Sequence, residues 1–138
     1  AYRRRISGPL LDRIDMQLEV TAVPVRQITE SAPEEPSADI HKRVQAARER
    51  QQKRYAGEGI SCNAELSARQ LETVCPLDDA CRELLGKACD TYHLSMRAVS
   101  RVRKVARTIA DLAGAEEIGR AHLLEALRYR NLEGNYWK

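Results

Sequence analysis

The chain has 138 residues, which is the size of one compact domain or of a domain with a tail, and too short for two independent folds. Hydrophobic residues make up 43% and charged residues 31% of it, and the mean hydropathy is -0.54, so the composition excludes a disordered or membrane-spanning chain. The net charge of +3, from 23 basic and 20 acidic residues, is too balanced to indicate nucleic-acid binding by itself.

The N-terminal stretch differs in pattern from the rest. Residues 10–13 read as a short helical stretch, and residues 15–20 alternate apolar and polar side chains as a half-buried strand does. A single strand is not stable alone, so we expect this segment to be loose unless another element covers it. Residues 28–36 contain two prolines and three acidic residues, which predicts a linker.

Five helices are predicted after the linker, and capping residues mark most of their ends. Their predicted ranges are 37–57, capped by Ser37; 67–75, opened by a Ser67–Gln70 capping box; 78–92, capped by Asp78; 95–113, between Ser95 and Gly114; and about 120–130. The expected core positions are Ile40, Val44, Ala47, Tyr55, Leu71, Val74, Cys75, Cys81, Leu84, Leu85, Ala88, Tyr92, Val99, Val102, Ala106, Ile109, Ala110, Ala113, Leu123, Leu124 and Leu127. The sequence therefore predicts a mainly α fold, a bundle of about five helices preceded by a detached helix–strand segment.

No self-sufficient catalytic or metal-binding motif is present. The seven glycines never form a phosphate-binding GxxxxGK[ST] loop, and Gly86-Lys87 is followed by Ala88. The four cysteines show no CxxC pair, so we interpret them as reduced thiols rather than metal ligands. The three histidines are dispersed, which favours solvated or capping roles.

The predicted helix 95–113 carries five cations within eleven residues. Arg97, Arg101 and Lys104 share one face, and Arg103 and Arg107 form an adjacent row. The ordinary interpretation of such rows is a solvated helix face. Arg97 differs because it lies in the first turn, where free backbone N–H groups already favour an anion and a guanidinium adds donors suited to phosphate.

Arg13 lies at the junction between the short helical stretch and the predicted strand. A side chain at such a junction can project from the edge of a domain and reach a neighbouring subunit. The structural alternative is an ion pair with Asp12 or Asp15.

Several runs of the sequence resemble the magnesium-chelatase-like AAA+ ATPases, and in particular their bacterial competence-associated members. These runs are YRRRISGPLLDRIDMQLEV (2–20), RVQAARERQQKRYAG (43–57), LSMRAVSRVRKVARTIADL (94–112), EEI (116–118) and HLLEALRYR (122–130). They cover most of the chain in order. The Leu-Leu-Asp-Arg element alone would be a weak signal, but the runs together are specific.

The resemblance implies a domain division and two site residues. Residues 1–24 would end the nucleotide-binding AAA+ core, residues 25–36 would be a linker, 37–131 the helical lid and 132–138 a tail. Arg13 would be the arginine finger, acting on the γ-phosphate held by the next subunit, and Arg97 the sensor-2 arginine that contacts ATP. ATP, Mg²⁺ and a ring of subunits, by family likeness a hexamer, are implied for a full-length cytoplasmic parent, whose Walker and sensor-1 motifs would precede Ala1.

Two other functions remain open at this point. A DNA-binding helical module is indicated by the cations of the first predicted helix together with one from the fourth; the candidates are Lys42, Arg43, Arg48, Arg50, Lys53, Arg54 and Arg101. An oligomerisation domain is the third possibility, although we expect the fragment itself to be a monomer.

Overall fold

The structure is a computed structural model that describes Leu10, residues 12–18, Val20, Ala22, Pro24 and residues 34–130. Within these residues it contains five α-helices and one short 3₁₀ turn. They are α1 (Ser37–Arg54), the 3₁₀ turn (Asn63–Glu65), α2 (Ala68–Val74), α3 (Asp79–Tyr92), α4 (Met96–Leu112) and α5 (Arg120–Arg128). The predicted mainly helical bundle is confirmed. The predicted boundaries between core, linker, lid and tail stay predictions.

Helix α4 is the centre of the bundle. It packs against α1, α2, α5 and the 3₁₀ turn, and α3 packs against α5. Val102, Ala106, Ala110 and Leu123 are completely excluded from solvent in a shared core. The core is built almost entirely from aliphatic side chains and Cys, as the absence of Phe requires.

Three of the four predicted helix N-caps are confirmed. Ser67, Asp78 and Ser95 each accept a hydrogen bond from a backbone N–H in the first turn, and Ser67 forms the predicted capping box with Gln70. The fourth prediction was wrong, because Ser37 is the first helical residue of α1 and Pro36 precedes it without a side-chain cap.

The C-terminus of α4 is confirmed at Gly114, whose φ is +75°. The N–H of Gly114 donates to the carbonyl of Asp111, and that of Ala115 donates to Ala110, which is a Schellman turn. A left-handed residue is required there, so glycine ends the helix without strain.

Two of the predicted core residues of α1 are exposed. Ile40 and Val44 are 43% and 46% exposed, whereas Ala47 and Tyr55 are buried as predicted. Only the C-terminal half of α1 has its inward face buried, so the N-terminal half presents its apolar residues to solvent. Tyr92 and Leu124 are also 44% and 39% exposed, and Ala113 is exposed at the helix end.

The prediction of a detached strand at residues 15–20 was wrong. The described residues of this range form no strand, because no described strand is available as a partner. Instead the segment lies against the bundle, and the backbone N–H of Gln17 donates to the carbonyl of Tyr129 at 2.8 Å.

Candidate functional site

The first residue of interest is Ser95, the N-cap of α4, because its hydroxyl group makes two hydrogen bonds. It accepts one from the N–H of Ala98 at 3.1 Å, which caps the helix. It donates the other to Oδ2 of Asp12 at 2.9 Å. A hydroxyl group can accept and donate at once, so one side chain both starts α4 and joins it to the N-terminal segment.

Residues 12–17, which we call the docked segment, are held along α4 and the end of α5. Arg101 forms an ion pair with Asp15, and Nη1 of Arg130 donates to the carbonyl of Ile14. Oδ1 of Asp12 lies 3.8 Å from Nη2 of Arg130. Arg130 is only 2% exposed, so a buried cation holds the middle of this segment.

The docked segment and the residues after it keep their apolar side chains away from the bundle. Ile14, Met16, Leu18 and Val20 are 40%, 44%, 67% and 90% exposed. Every second residue is therefore apolar and exposed, while Asp12, Asp15 and the backbone of Gln17 contact the helices. An exposed apolar row of this kind is typical of a surface that packs against another part of a protein.

Most of the cations of α4 are engaged in contacts within the fold. Arg103 pairs with Glu72 and donates to the carbonyls of Leu71 and Cys75 at 3.0 and 2.8 Å. Lys104 donates to the carbonyl of Ala64 at 2.9 Å.

Arg107 is even more enclosed, at 2% exposure, and donates to the carbonyls of Ala115 and Glu116 at 2.7 and 2.6 Å. The interpretation of Arg103 and Arg107 as a solvated face was therefore wrong. Their guanidinium groups donate hydrogen bonds to backbone carbonyl oxygens of the fold.

Arg97 is the exception on α4. Its side chain is exposed, and it has no hydrogen bond or ion pair among the residues that the structure describes. The side chain of Arg13 is also exposed and has no hydrogen bond or ion pair among the described residues. The two nearby acids, Asp12 and Asp15, contact Ser95, Arg130 and Arg101 instead.

The Asp12–Ser95 hydrogen bond places these two arginines in the same region. Arg13 follows Asp12 directly, and Arg97 is two residues after Ser95. The structure thus brings the two predicted phosphate-contacting arginines to the start of α4, both with unoccupied guanidinium groups in the described part of the chain. Two such groups near a helix N-terminus can bind a polyphosphate.

The opposite end of α4 contains a buried ionic cluster. Asp111 is 2% exposed and accepts hydrogen bonds from Arg54 at 3.0 Å and from Asn63 at 2.9 Å, and it lies 3.1 Å from Arg107. Burial opposes the charged form of Asp111, but the hydrogen bonds from Arg54 and Asn63 and the charge of Arg107 lower its pKa below 3.8. The hydrogen bond to Asp111 likewise raises the pKa of Arg54.

Most of the DNA-binding candidates are paired with acids. Lys42 pairs with Asp39, Arg43 with Glu35, Arg54 with Asp111, and Arg101 with Asp15. Arg50 and Lys53 are exposed and make no ion pair among the described residues.

Asp12, Asp15 and Arg130 were not predicted as site residues from the sequence. For Arg130 a signal existed, because it continues the apolar row of Leu123 and Leu127 at helical spacing, and an arginine on the apolar face of a helix needs a buried partner. Asp12 and Asp15 carried no such signal, since their partners lie more than eighty residues away in the chain.

Two of the four cysteines, Cys75 and Cys81, are buried thiols. Burial raises the pKa of Cys75 and of Cys81 to about 11, so both remain protonated at neutral pH. No group of three His, Cys, Asp or Glu side chains that could hold a metal occurs in the described part of the chain. None of the described helices is both long and apolar enough to cross a membrane.

Comparison with known proteins places these features in a family. Residues 34–130 match the family described as magnesium chelatase, subunit ChlI C-terminal, and residues 1–28 match the family described as magnesium chelatase, subunit ChlI.

Three curated proteins show the degree of similarity. Competence protein ComM of Haemophilus influenzae is 42% identical over 130 residues, which are 94% of this chain and 25% of that protein. The uncharacterized proteins YifB of Salmonella typhimurium and of Escherichia coli are 41% and 40% identical over 133 residues, 96% of this chain and 26% of each relative. The chain thus spans about a quarter of the length of these relatives.

Proposed function

Because the chain belongs to the family of the magnesium chelatase subunit ChlI C-terminal domain, we propose that it is the lid of an AAA+ ring ATPase. In this proposal the lid senses bound ATP and couples its hydrolysis to motions of the lid and of the neighbouring subunits. Residues 1–24 belong to the end of the nucleotide-binding core, residues 25–36 link it to the lid, and residues 37–131 form the lid itself. The exposed apolar row from Ile14 to Val20 supports this division, since it offers a face on which the rest of a core can pack.

The observation that carries the proposal is the difference between Arg97 and the other cations of α4. Four of these cations bind carboxylate or carbonyl groups of the fold, namely Arg101, Arg103, Lys104 and Arg107. Arg97 remains exposed, in the first turn of the helix, with no partner among the described residues. An arginine that the fold does not use and that stands beside free backbone N–H groups is suited to an anionic ligand.

The chemistry follows from the placement of positive charge. Phosphoryl transfer is accelerated when cations are held against the transferring phosphate, and an arginine finger contributes about 10³–10⁵ in rate. Arg13 supplies this charge to the nucleotide of a neighbouring subunit, and Arg97 contacts the phosphates and reports their presence to the lid. Magnesium would neutralise phosphate charge when bound, and the described residues contain no group of three His, Cys, Asp or Glu side chains that could hold it.

Arg97→Ala in the full-length protein tests the sensor role. We expect ATP turnover to be lost while the far-ultraviolet circular dichroism stays unchanged, because the exposed side chain makes no contact within the described fold. Unchanged turnover would contradict the assignment.

The chain contains a matched control in Arg69→Ala. Arg69 follows the N-cap Ser67 by two residues at the start of α2, just as Arg97 follows Ser95 at the start of α4, and both are exposed. Only the α4 cap is joined to the docked segment, so Arg69→Ala should turn over ATP at the normal rate.

Arg13→Ala is tested by mixing subunits. If Arg13 acts on the nucleotide of a neighbour, a variant subunit keeps an intact site of its own and lacks only the finger that it offers to the next subunit. Mixing Arg13→Ala subunits with subunits whose own Walker motif is disabled should therefore give turnover that neither variant shows alone. No turnover in such mixtures would exclude a role in trans. Sedimentation of the mixtures confirms that rings form.

DNA binding is a second candidate, supported by Arg50 and Lys53, which are exposed on α1 without ion pairs among the described residues. Their positions three residues apart place them on adjacent parts of the helix surface. Titration with single- and double-stranded DNA at two salt concentrations tests it, and the R50A/K53A variant should bind more weakly with a shallower salt dependence. No binding at low salt would remove this candidate.

A further inference from the structure

The docked segment is attached to the bundle by four contacts, two made by acidic side chains and two by its backbone. Asp12 accepts from the Ser95 hydroxyl group, the Ile14 carbonyl accepts from Arg130, Asp15 pairs with Arg101, and the Gln17 N–H donates to the Tyr129 carbonyl. Along the chain these contacts alternate between α4, at Ser95 and Arg101, and the C-terminal end of α5, at Arg130 and Tyr129. The peptide containing Arg13 is therefore fixed on both of its sides.

We infer that Asp12 and Asp15 are positioning residues that hold Arg13 against the start of α4, so that Arg13 and Arg97 move as one rigid body. The inference rests on the proposed function, because it gives these contacts the task of fixing Arg13, which acts on the nucleotide of a neighbouring subunit, relative to the lid helix that contains Arg97. In this role neither acid touches the nucleotide, and both act through Arg13, which lies one residue from Asp12 and two residues from Asp15.

Two features favour positioning over a contribution to stability alone. The Asp15–Arg101 pair is partly exposed, with side-chain exposures of 48% and 29%, and ion pairs in such surroundings contribute little to global stability. Its effect is local, on a segment that lacks secondary structure of its own. Asp12 accepts a hydrogen bond from the hydroxyl group of Ser95, which also caps α4. The residue before Arg13 is therefore bonded to the N-cap of the helix that contains Arg97.

Exchange of the two charges tests the docking. D15R and R101D each place like charges opposite one another, and the D15R/R101D double variant restores an ion pair of reversed polarity. The measurement is hydrogen exchange of the Gln17 amide, which is protected only while its bond to Tyr129 is closed. We expect each single variant to accelerate this exchange about tenfold, and the double variant to return it to within about threefold of wild type.

Steady-state kinetics of the full-length protein test the positioning role. The single charge variants should lower kcat about tenfold or more with less than about a twofold change in the KM for ATP, because misplaced arginines lose contacts made in the transition state. The double variant should recover most of kcat. D12N keeps an oxygen that accepts the Ser95 hydroxyl hydrogen but removes the charge that faces Arg130, so its kcat should lie between those of wild type and D12A, and D12A should resemble the single charge variants.

A matched control is the Asp79–Arg82 pair at the start of α3, which contains the same two residue types and is exposed. D79R and R82D make the same changes of charge away from the docked segment. They should alter neither Gln17 exchange nor kcat.

The outcomes separate this inference from the proposed function. Gln17 exchange that is insensitive to D15R and R101D would overturn the docking. Accelerated exchange with normal kcat would overturn the positioning role while leaving the proposed function intact. Full turnover by Arg13→Ala and Arg97→Ala would overturn the proposed function and the positioning role with it, whatever the exchange rates are.

Discussion

The two ends of α4 use the same residue types in opposite ways. At the C-terminal end, Arg107 and Asp111 are each 2% exposed and are joined by Arg54 and Asn63 in a closed cluster. At the N-terminal end, Arg97 is exposed without a partner among the described residues, and the acids Asp12 and Asp15 come from a different part of the chain. The same helix thus contains a buried arginine that forms hydrogen bonds and an ion pair within the fold, and an exposed arginine whose guanidinium group is available to a ligand.

The role of an arginine on a helix therefore depends on the groups around it and not on its presence in the sequence alone. Where surrounding carbonyl and carboxylate groups enclose the guanidinium group, it forms hydrogen bonds that stabilise the fold. Where they do not, it can bind a ligand. This comparison predicts large stability effects at the C-terminal end and small ones at the N-terminal end.

The largest expected effect belongs to Asp111→Ala. This change leaves Arg54 and Arg107 beside each other without their common acid, and breaking a buried pair in this way costs about 3–5 kcal/mol. Urea unfolding followed by circular dichroism measures it. Asp79→Ala removes an exposed acid of the same type and should leave the urea midpoint close to wild type; equal losses in both variants would refute the comparison.

The stability of the C-terminal cluster should also depend on pH. The folded-state pKa of Asp111 is lowered below 3.8, so its contribution is fully present above the unfolded-state pKa and is lost as the pH falls through the folded-state pKa. Urea midpoints measured from pH 6 down to pH 2.5 should therefore fall for wild type. Asp111→Asn should show a shallower fall, and an identical pH profile would show that the charge of Asp111 does not stabilise the fold.

The effect at the N-terminal end should be intermediate for Ser95→Ala. Loss of an N-cap hydroxyl costs about 1 kcal/mol in the free energy of unfolding. Ser67→Ala removes a comparable cap from α2 and is the control. Only Ser95→Ala should also accelerate exchange of the Gln17 amide, because only Ser95 donates to the docked segment; matching exchange rates in the two variants would count against that link.

The smallest effect is expected for Arg97→Ala. An exposed side chain without partners in the described fold should change the free energy of unfolding by less than about 0.5 kcal/mol. Arg69→Ala provides the same measurement at the equivalent position of α2. A loss above about 1 kcal/mol for Arg97→Ala alone would mean that the fold does use this arginine.

Local signals in the sequence were sufficient for most of the fold. The caps at Ser67, Asp78 and Ser95 and the glycine end at Gly114 were predictable because each depends on residues within a few positions of one another. Two predictions were wrong, namely the strand at residues 15–20 and the burial of Ile40 and Val44. Both depend on whether another element lies against the predicted face, which local sequence does not show.

The candidate site shows the same division. The sequence contains Ser-x-Arg at the start of two helices, at Ser67 and at Ser95, and local geometry is equivalent in both. The resemblance to the magnesium-chelatase-like ATPases selected Arg97, which stays a prediction. The tertiary structure adds a difference that no local pattern contains, namely the carboxylate of Asp12 on one of the two caps.

The helices of this protein, most of their ends and its family can be read from the amino-acid sequence, because periodicity, capping and similarity are properties of neighbouring residues in order. Which arginines are buried, which acids hold the docked segment and which guanidinium groups remain available became known only from the folded chain. Desolvation and ion pairing depend on groups that are far apart in the sequence and meet only when it folds.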